Sequence, residues 1–406
     1  MRYAKSSAAV PALRFKGFEG EWSALRAKDL FVEVTDKNHS DLPVLSAHQQ
    51  RGMIRRDDGG SQIQFDRNSL STYKRVTPGQ FVLHLRSFQG GFAHSAIEGI
   101  ASPAYTVFQF RDRDVHNDLF WKYYFNSQKF IESLKVITYG IRDGRSIAFE
   151  DYCGLSQMFP SIVAEQRSIG SCFRSLDALI SSRTAGVKKL EELKKSMLVK
   201  MFPQGDSLVP EIRFKEFKGK WEQVTLSSIA ERVLEKNFGG QYKETFTNSA
   251  ELGVISQRNY FDFDVAKNTA GYYVVRDNDF VYNPRISTSA PVGPINRNSL
   301  GRVGVMSPLY FVFRTHDITP EFLEVLFKTS VWHPYMKYNG DSGARSDRFS
   351  IKNELFMAMP ILRPTLPEQR KIAAYFRALD DLLAARKAEL KKLREMKSAL
   401  LERMFV

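Results

Sequence analysis

The chain has 406 residues, 43% hydrophobic and 26% charged, a balance that describes globular domains with ample core and excludes a disordered polymer. Fifty-nine basic against 45 acidic residues give a net charge of +14 and a pI near 9.6, which favours an anionic partner such as a phosphate backbone. No run approaches 18 apolar residues, MRYAKSSAAVPAL has no leader-like apolar stretch, and Cys153 and Cys172 lack metal or disulfide spacing, so a reduced, cytoplasmic protein without membrane contact is expected.

In chain order, residues 1–25 read as an extended arm anchored by Trp22. A mixed globule follows over about 26–158, with strands expected at 42–46, 62–66, 80–85 and 104–110 and one helix at 117–135. Residues 162–202 contain no proline and predict a long helix. PQGDSLVP at 203–210 reads as a linker. A second globule covers about 222–358, with strands near 252–256, 272–276, 279–283 and 309–314 and a helix at 320–331. A second proline-free helix closes the chain.

The second half repeats the first. VPALRFKGFEGEW at 10–22 returns as VPEIRFKEFKGKW at 209–221, with eight of thirteen positions identical, an offset of 199 residues and thus half the chain. The helices repeat at an offset of 203: Glu165, Gln166 and Arg167 match Glu368, Gln369 and Arg370, and Met201-Phe202 match Met404-Phe405. Ile169, Phe173, Leu176, Ile180, Val187, Leu190, Met197 and Met201, with their partners in the second copy, step by three and four as a coiled-coil seam does. The seam is interrupted near Arg183 and Arg386, the same place in both copies. Gly186, standing where the second copy has Glu389, weakens the first helix by about 1 kcal/mol and predicts a bend there. Between arm and helix, FVLHLR matches FVYNPR, SPAYTVFQF matches SPLYFVFR, and Arg145, Ser146 and Phe149 match Arg345, Ser346 and Phe349, while intervening loops differ in length. Such a chain is a mixed α/β (α+β) protein: two similar modules joined by two long helices, most simply antiparallel, with a pseudo-two-fold internal repeat.

Catalytic signatures are missing. The seven histidines form no metal-ligand spacing, and there is neither a GxGxxG nor a GxxxxGK[ST] loop. SPAY and SPLY lack the second proline and the amide or carboxylate of an amino-methyltransferase motif, and read as entries to strands.

An arm, a variable globule and an EQR-bearing heptad helix, all repeated, resemble the DNA-specificity (S) subunit of a type I restriction–modification system over essentially the whole chain. The closest motif matches are the two helices and the FVYNPR and SPLY segments. The resemblance implies target recognition domains within 1–158 and 204–360 (each with its arm) and conserved helices at 159–203 and 361–406. It implies that each recognition domain reads one half of a bipartite, asymmetric site on double-stranded DNA while the helices set the spacer. It further implies two methyltransferase (M) and two restriction (R) subunits as partners. S-adenosylmethionine would belong to the M subunit and ATP with Mg to the R subunit, leaving this chain without catalysis or cofactor. The other reading is a non-catalytic protein scaffold with only nonspecific DNA affinity.

Base edges are read by Arg, Asn, Gln, Ser and Thr on loops at strand ends. The DNA-binding candidates come in matched sets. Ser46, Gln49, Gln50 and Arg51 are set against Ser256, Gln257 and Arg258. Arg86, Ser87 and Gln89 are set against Asn283, Arg285, Ser287 and Thr288, and Arg145 against Arg345. For the M subunits the candidates are Glu165, Gln166, Arg167, Glu368, Gln369 and Arg370.

Overall fold

The computed structural model describes residues 9–48, 51–59, 67–84, 91–137, 147–261, 268–341 and 347–406. The chain forms two compact units: Met1–Ala185 with Lys387–Val406, and Gly186–Arg386. Each unit therefore holds one arm, one globule, the first part of its own long helix and the last part of the other.

Unit 1 runs β1 (Ser23–Arg26), α1 (Ala27–Leu30), β2 (Phe31–Val34), β3 (Leu45–His48), β4 (Gly52–Arg55), β5 (Lys74–Val76), β6 (Phe81–Leu83), β7 (Phe92–His94), β8 (Gly99–Ala101), β9 (Thr106–Phe110), α2 (Asp118–Tyr124), α3 (Gln128–Ser133), α4 (Phe149–Cys153), β10 (Ser156–Phe159) and α5 (Val163–Lys200). Its antiparallel sheet has the order β2-β9-β6-β7, with pairs β1-β10, β3-β4 and β5-β8 beside it. The apolar run Phe81-Val82-Leu83 is buried on both faces, and the two-residue period of a strand divides it. Phe81 and Leu83 enter an aromatic core with Phe31, Phe92, Phe108, Phe120, Trp121 and Tyr152; Val82 enters an aliphatic core with Leu45, Val76, Ala93 and Val107.

Unit 2 repeats this strand for strand. It runs β11 (Glu222–Thr225), β12 (Ala230–Arg232), β13 (Phe246–Ser249), β14 (Gly253–Ser256), α6 (Gln257–Phe261), β15 (Tyr273–Val275), β16 (Phe280–Tyr282), β17 (Ile295–Arg297), β18 (Gly304–Met306), β19 (Phe311–Thr315), α7 (Pro320–Phe327), α8 (His333–Asn339), α9 (Asn353–Met357), β20 (Pro360–Arg363) and α10 (Leu366–Arg403). The sheet order is β12-β19-β16-β17, with pairs β11-β20, β13-β14 and β15-β18. Phe280, Tyr282, Phe311 and Phe313 face the helix side, and Val281 and Val312 face the hairpin side. SPAY and SPLY are turns feeding β9 and β19, closed by Tyr105 N–H to Ser102 O (3.0 Å) and Tyr310 N–H to Ser307 O (3.1 Å).

Three details depart from the sequence reading. The helix expected over 117–135 breaks after Tyr124, because the buried Ser127 caps a new helix by accepting from Phe130 N–H. The strand expected at 62–66 lies outside the described residues. Phe149 and Phe349 are not topological equivalents: β10 and β20 correspond at an offset of 204, and the helices before them align Tyr152 with Phe356, both fully buried. The two chains of loop therefore differ in length just before those helices.

Both long helices are continuous for 38 residues, and α5 passes through Gly186 without interruption. Counting sevens from Phe173 gives an unbroken register in which Arg183 and Arg386 occupy seam positions. The interruption is thus one of residue type. In unit 1, Asp177 pairs with Lys397 (2.6 Å) and Arg183 with Glu389 (3.0 Å), so one number falls as the other rises, as antiparallel helices require. In unit 2 the repeat-related pair is Lys194 with Asp380. The end of each helix plugs the other repeat's globule. Met404 and Phe405 are buried in the aromatic core of unit 1, where the Phe405 ring lies 5.5 Å from Phe120 and 5.8 Å from Phe173. Met201 and Phe202 do the same in unit 2, with Phe202 at 5.8 Å from both Trp221 and Phe322.

Candidate nucleic-acid interface

Glu165 and Glu368, expected at a docking surface, are 0% and 1% exposed. Arg14 grips Glu165 through Nε and Nη2, both at 2.7 Å, and donates to Gly20 O; Arg213 grips Glu368 at 2.8 and 2.7 Å and donates to Gly219 O. Gly20 and Gly219 have φ of +83° and +82°, a conformation that leaves those carbonyls turned to the arginine and that glycine adopts without strain. Gln166 and Gln369 are equally buried. Gln166 accepts from Asn117 N–H and donates to Pro160 O; Gln369 accepts from Thr319 N–H and donates to Pro364 O, each at 2.8 Å. The expectation for these four side chains is corrected: they fasten arm and globule to helix and present nothing to a partner. Arg167 and Arg370, next in sequence, are exposed.

The helices also expose apolar residues. One position before each seam residue, Leu179 and Met396 are exposed in unit 1, and Leu193 and Leu382 in unit 2. Across the antiparallel register each pair lies at one level, and the repeat exchanges the two pairs.

Of the DNA-binding candidates, Gln49, Gln50, Arg86, Ser87, Gln89, Arg145 and Arg345 lie outside the described residues. Arg51 is exposed at the tip of the β3-β4 hairpin, while Ser46 lies within β3 and accepts from Arg56 Nε (3.3 Å). Register shows that Ser46 and Ser256 are not counterparts. Ser46 pairs with Ile54 and Thr247 with Ile255, which sets Ser256 against Arg55 and Gln257 against Arg56. Gln257 opens α6 with its side-chain oxygen buried, and Arg258 beside it is exposed. Asn283 is consumed internally: Nδ2 donates to Asn248 O (2.8 Å) and Oδ1 accepts from Arg285 N–H (3.0 Å). It belongs to an asparagine network, with Asn248 and Asn296, that fixes the start of the β16-β17 loop. That loop displays Arg285, Ser287 and Thr288 to solvent, and Ser287 and Ala290 close it with reciprocal backbone bonds of 3.1 Å.

Charge is sorted in unit 2. Arg276, Arg297, Arg302 and Arg314 pair with Glu235, Glu321/Glu324, Glu244 and Asp279. Arg232, Arg258, Arg285 and Arg348 have no carboxylate within ion-pair distance among the described residues. Arg232 and Arg348 line a cavity of about 460 Å³ with Tyr282, Pro284 and Pro308–Phe311, so FVYNPR and SPLY form its walls. Neither Arg232 nor Arg348 was among the candidates read from the sequence; the position of Arg232 is held by Glu33 in the first repeat. Among the described residues no group of His, Cys, Asp or Glu could hold a metal, and no helix is long and apolar enough to cross a membrane.

The chain is thus a duplicated sheet-and-helix unit completed by paired long helices, whose second copy holds four arginines without a carboxylate partner among the described residues. No family model matches the chain. It is similar to a curated protein of Methanocaldococcus jannaschii named as the type I restriction enzyme MjaX specificity subunit, with 25% identity over 252 residues, 58% of this chain and 55% of that one. The chain thus spans about half the length of the curated relative it matches. The S subunit of a type I restriction–modification system from M. genitalium shares the fold, with a TM-score of 0.57 and 14% identity over 98% of this chain and 99% of that one. So does a chain of another solved type I system, with a TM-score of 0.52 and 15% identity over 94% and 96%. The likeness to type I specificity subunits read from the sequence thus stands in fold and in curated kinship.

Proposed function

We propose that this chain is the DNA-specificity subunit of a type I restriction–modification complex, each unit reading one half of a bipartite, asymmetric site. The observation that carries the reading is the strand-for-strand repeat of one frame with two different loop sets. A scaffold that binds only proteins has no need to hold arginines away from carboxylates on loops whose backbone is pinned by an asparagine network. In unit 2 the loop after β16 (Ser287, Thr288) and the start of α6 (Arg258) are the reading candidates; in unit 1 the candidate among the described residues is Arg51 at the tip of the β3-β4 hairpin. The chain is non-catalytic: adenine methylation and ATP-dependent cleavage reside in M and R subunits, which bring S-adenosylmethionine, ATP and Mg. Two M subunits dock on the helices, one on Leu179 and Met396 with Arg167 on the same helix, the other on Leu193 and Leu382 with Arg370. Exposed apolar residues flanking a two-helix seam suit a third helix, as knobs need holes on both sides. A DNA ligand places the complex in the cytoplasm.

Co-expression with a type I M subunit and sequencing of methylated adenines tests this. The expected result is a two-part motif modified in both halves, with exchange of residues 26–158 altering one half alone. Methylation that ignores this chain, or no two-part motif from an active M subunit, would promote the scaffold reading.

A further inference from the structure

Arg285 and Arg348 face each other across an isolated antiparallel bridge. The flanking bonds, Ile286 N–H to Asp347 O (3.0 Å) and Phe349 N–H to Pro284 O (2.7 Å), make them the non-hydrogen-bonded kind of pair. In that geometry the Cα atoms are about 4.5 Å apart and both side chains leave the same face. Like charges placed directly opposite destabilise a bridge. No carboxylate among the described residues relieves this pair, and by the two-residue alternation Asp347 points to the opposite face. Arg348 also lines the 460 Å³ cavity, where Arg232 is the second cation. Arg232 is held there by Phe311, whose ring centroid is 5.1 Å from the guanidinium carbon, and by Tyr273 Oη at 3.4 Å. The remaining polar lining is neutral (Tyr310, Ser350, Asn353), with no acidic residue among the described residues of the wall.

We infer that Arg232, Arg285 and Arg348 form a clamp for one backbone phosphate of the DNA, at the mouth of this cavity. The inference rests on the DNA-reading function proposed above and deepens it: Arg285, which sequence pattern marks as a base reader, supplies affinity without sequence information. Guanidinium groups suit the task because their fixed donor fork matches two phosphate oxygens at once. An anion between Arg285 and Arg348 turns their repulsion into two charge-assisted contacts. The Arg232 corner of the clamp belongs to unit 2. Arg232 stands opposite Phe313 in the sheet, and the same register in unit 1, opposite Phe108, is filled by Glu33. The two units therefore differ in how they hold the backbone as well as in what they read.

The test uses the full chain, a panel of unrelated duplexes and inorganic phosphate as the free-anion probe. In the Arg285→Gln/Arg348→Gln variant, binding weakens equally for all duplexes, and the slope of log affinity against log salt falls by about one. Arg302→Gln, which removes one positive charge from a residue paired with Glu244, leaves that slope unchanged. Phosphate at constant ionic strength raises the melting midpoint of the parent chain and not of the double variant, which shows the variant folded. If the double variant binds every duplex with the parent's affinity and slope, the clamp is wrong while the DNA reading stands. A loss confined to one sequence would make the arginines base readers. Stabilisation by phosphate without duplex binding by the parent chain would overturn the phosphodiester assignment and the DNA reading together.

Discussion

At the residue scale, a buried carboxylate needs its partner more than the partner needs it. Glu368 is almost fully enclosed and Arg213 only partly so, and removing one member of such a pair costs about 3–5 kcal/mol because the other charge is left stranded. Arg213→Ala should lower the stability of unit 2 by that amount, read as a shift in urea midpoint by Trp221 fluorescence, with Arg213→Lys recovering only part since lysine cannot bind both oxygens. His116 supplies a pH dependence in unit 1. Its ring lies 5.0 Å from Phe110 and 5.2 Å from Phe159, and burial pushes its pKa below the ordinary 6.5. Between that lowered value and 6.5 the unfolded chain binds more protons, so stability declines as pH falls below 6.5 and levels off past the folded pKa. His116→Phe should flatten the fall of the urea midpoint as pH drops below 6.5. The sequence marked Glu165 and Glu368 as important, since they recur, but gave no direction: a helix pattern tells which residues share a face and not which neighbour covers that face. Asn283 misled for a related reason, because an amide suited to reading adenine is equally suited to pinning a loop.

At the scale of elements, what was legible followed the strength of the pattern. The 38-residue helices were visible because two proline-free heptad runs leave little else to form. Apolar runs such as FVL, YVV and FVY announced β6, β15 and β16, whereas the equally short β5 (KRV) and β8 (GIA) carry no run of bulky apolar residues. Matching by sequence alone also slipped where loops change length, pairing Ser46 with Ser256 and Phe149 with Phe349; hydrogen-bond register corrected both. Two glycines of α5 make opposite predictions. Gly186 has nothing within 4 Å of where a Cβ would stand, so Gly186→Ala should add up to about 1 kcal/mol. At Gly170 a Cβ would lie 2.8 Å from Leu119 Cβ and 2.9 Å from the Phe120 backbone nitrogen, so Gly170→Ala must push α2 away. Its thermal midpoint should fall despite the better helix former, and a rise would show that α2 gives way easily.

At the scale of the whole molecule, the second arm follows the end of α5 and bonds to it, Ile212 N–H to Lys200 O at 2.8 Å. The first arm makes the same 2.8 Å bond from Leu13 to Arg403 at the other end of the chain. Ala9 and Leu208 likewise stand in for each other, accepting from the backbone of Trp22 and Trp221. The chain is therefore joined to itself by contacts where it lacks a peptide bond. A permuted chain, with a copy of PQGDSL linking Phe405 to Val10 and new ends within 204–207, should keep its helix content by circular dichroism and its unfolding midpoint. A large loss in either would mean that the existing ends matter to the fold.

The borrowed helix ends carry a statement about descent. A single repeat, residues 1–203, would possess a globule whose core wants a Met-Phe plug and a helix whose Met-Phe plug has no globule to enter. Two copies of that half-length chain would cure each other's deficit by trading helix ends, a self-complementary exchange closed by a two-fold axis. If the DNA reading proposed above holds, such a dimer would read only palindromes, since its halves would be identical. Two copies fused in one chain are free to differ, as Glu33 in β2 and Arg232 in β12 do at one register.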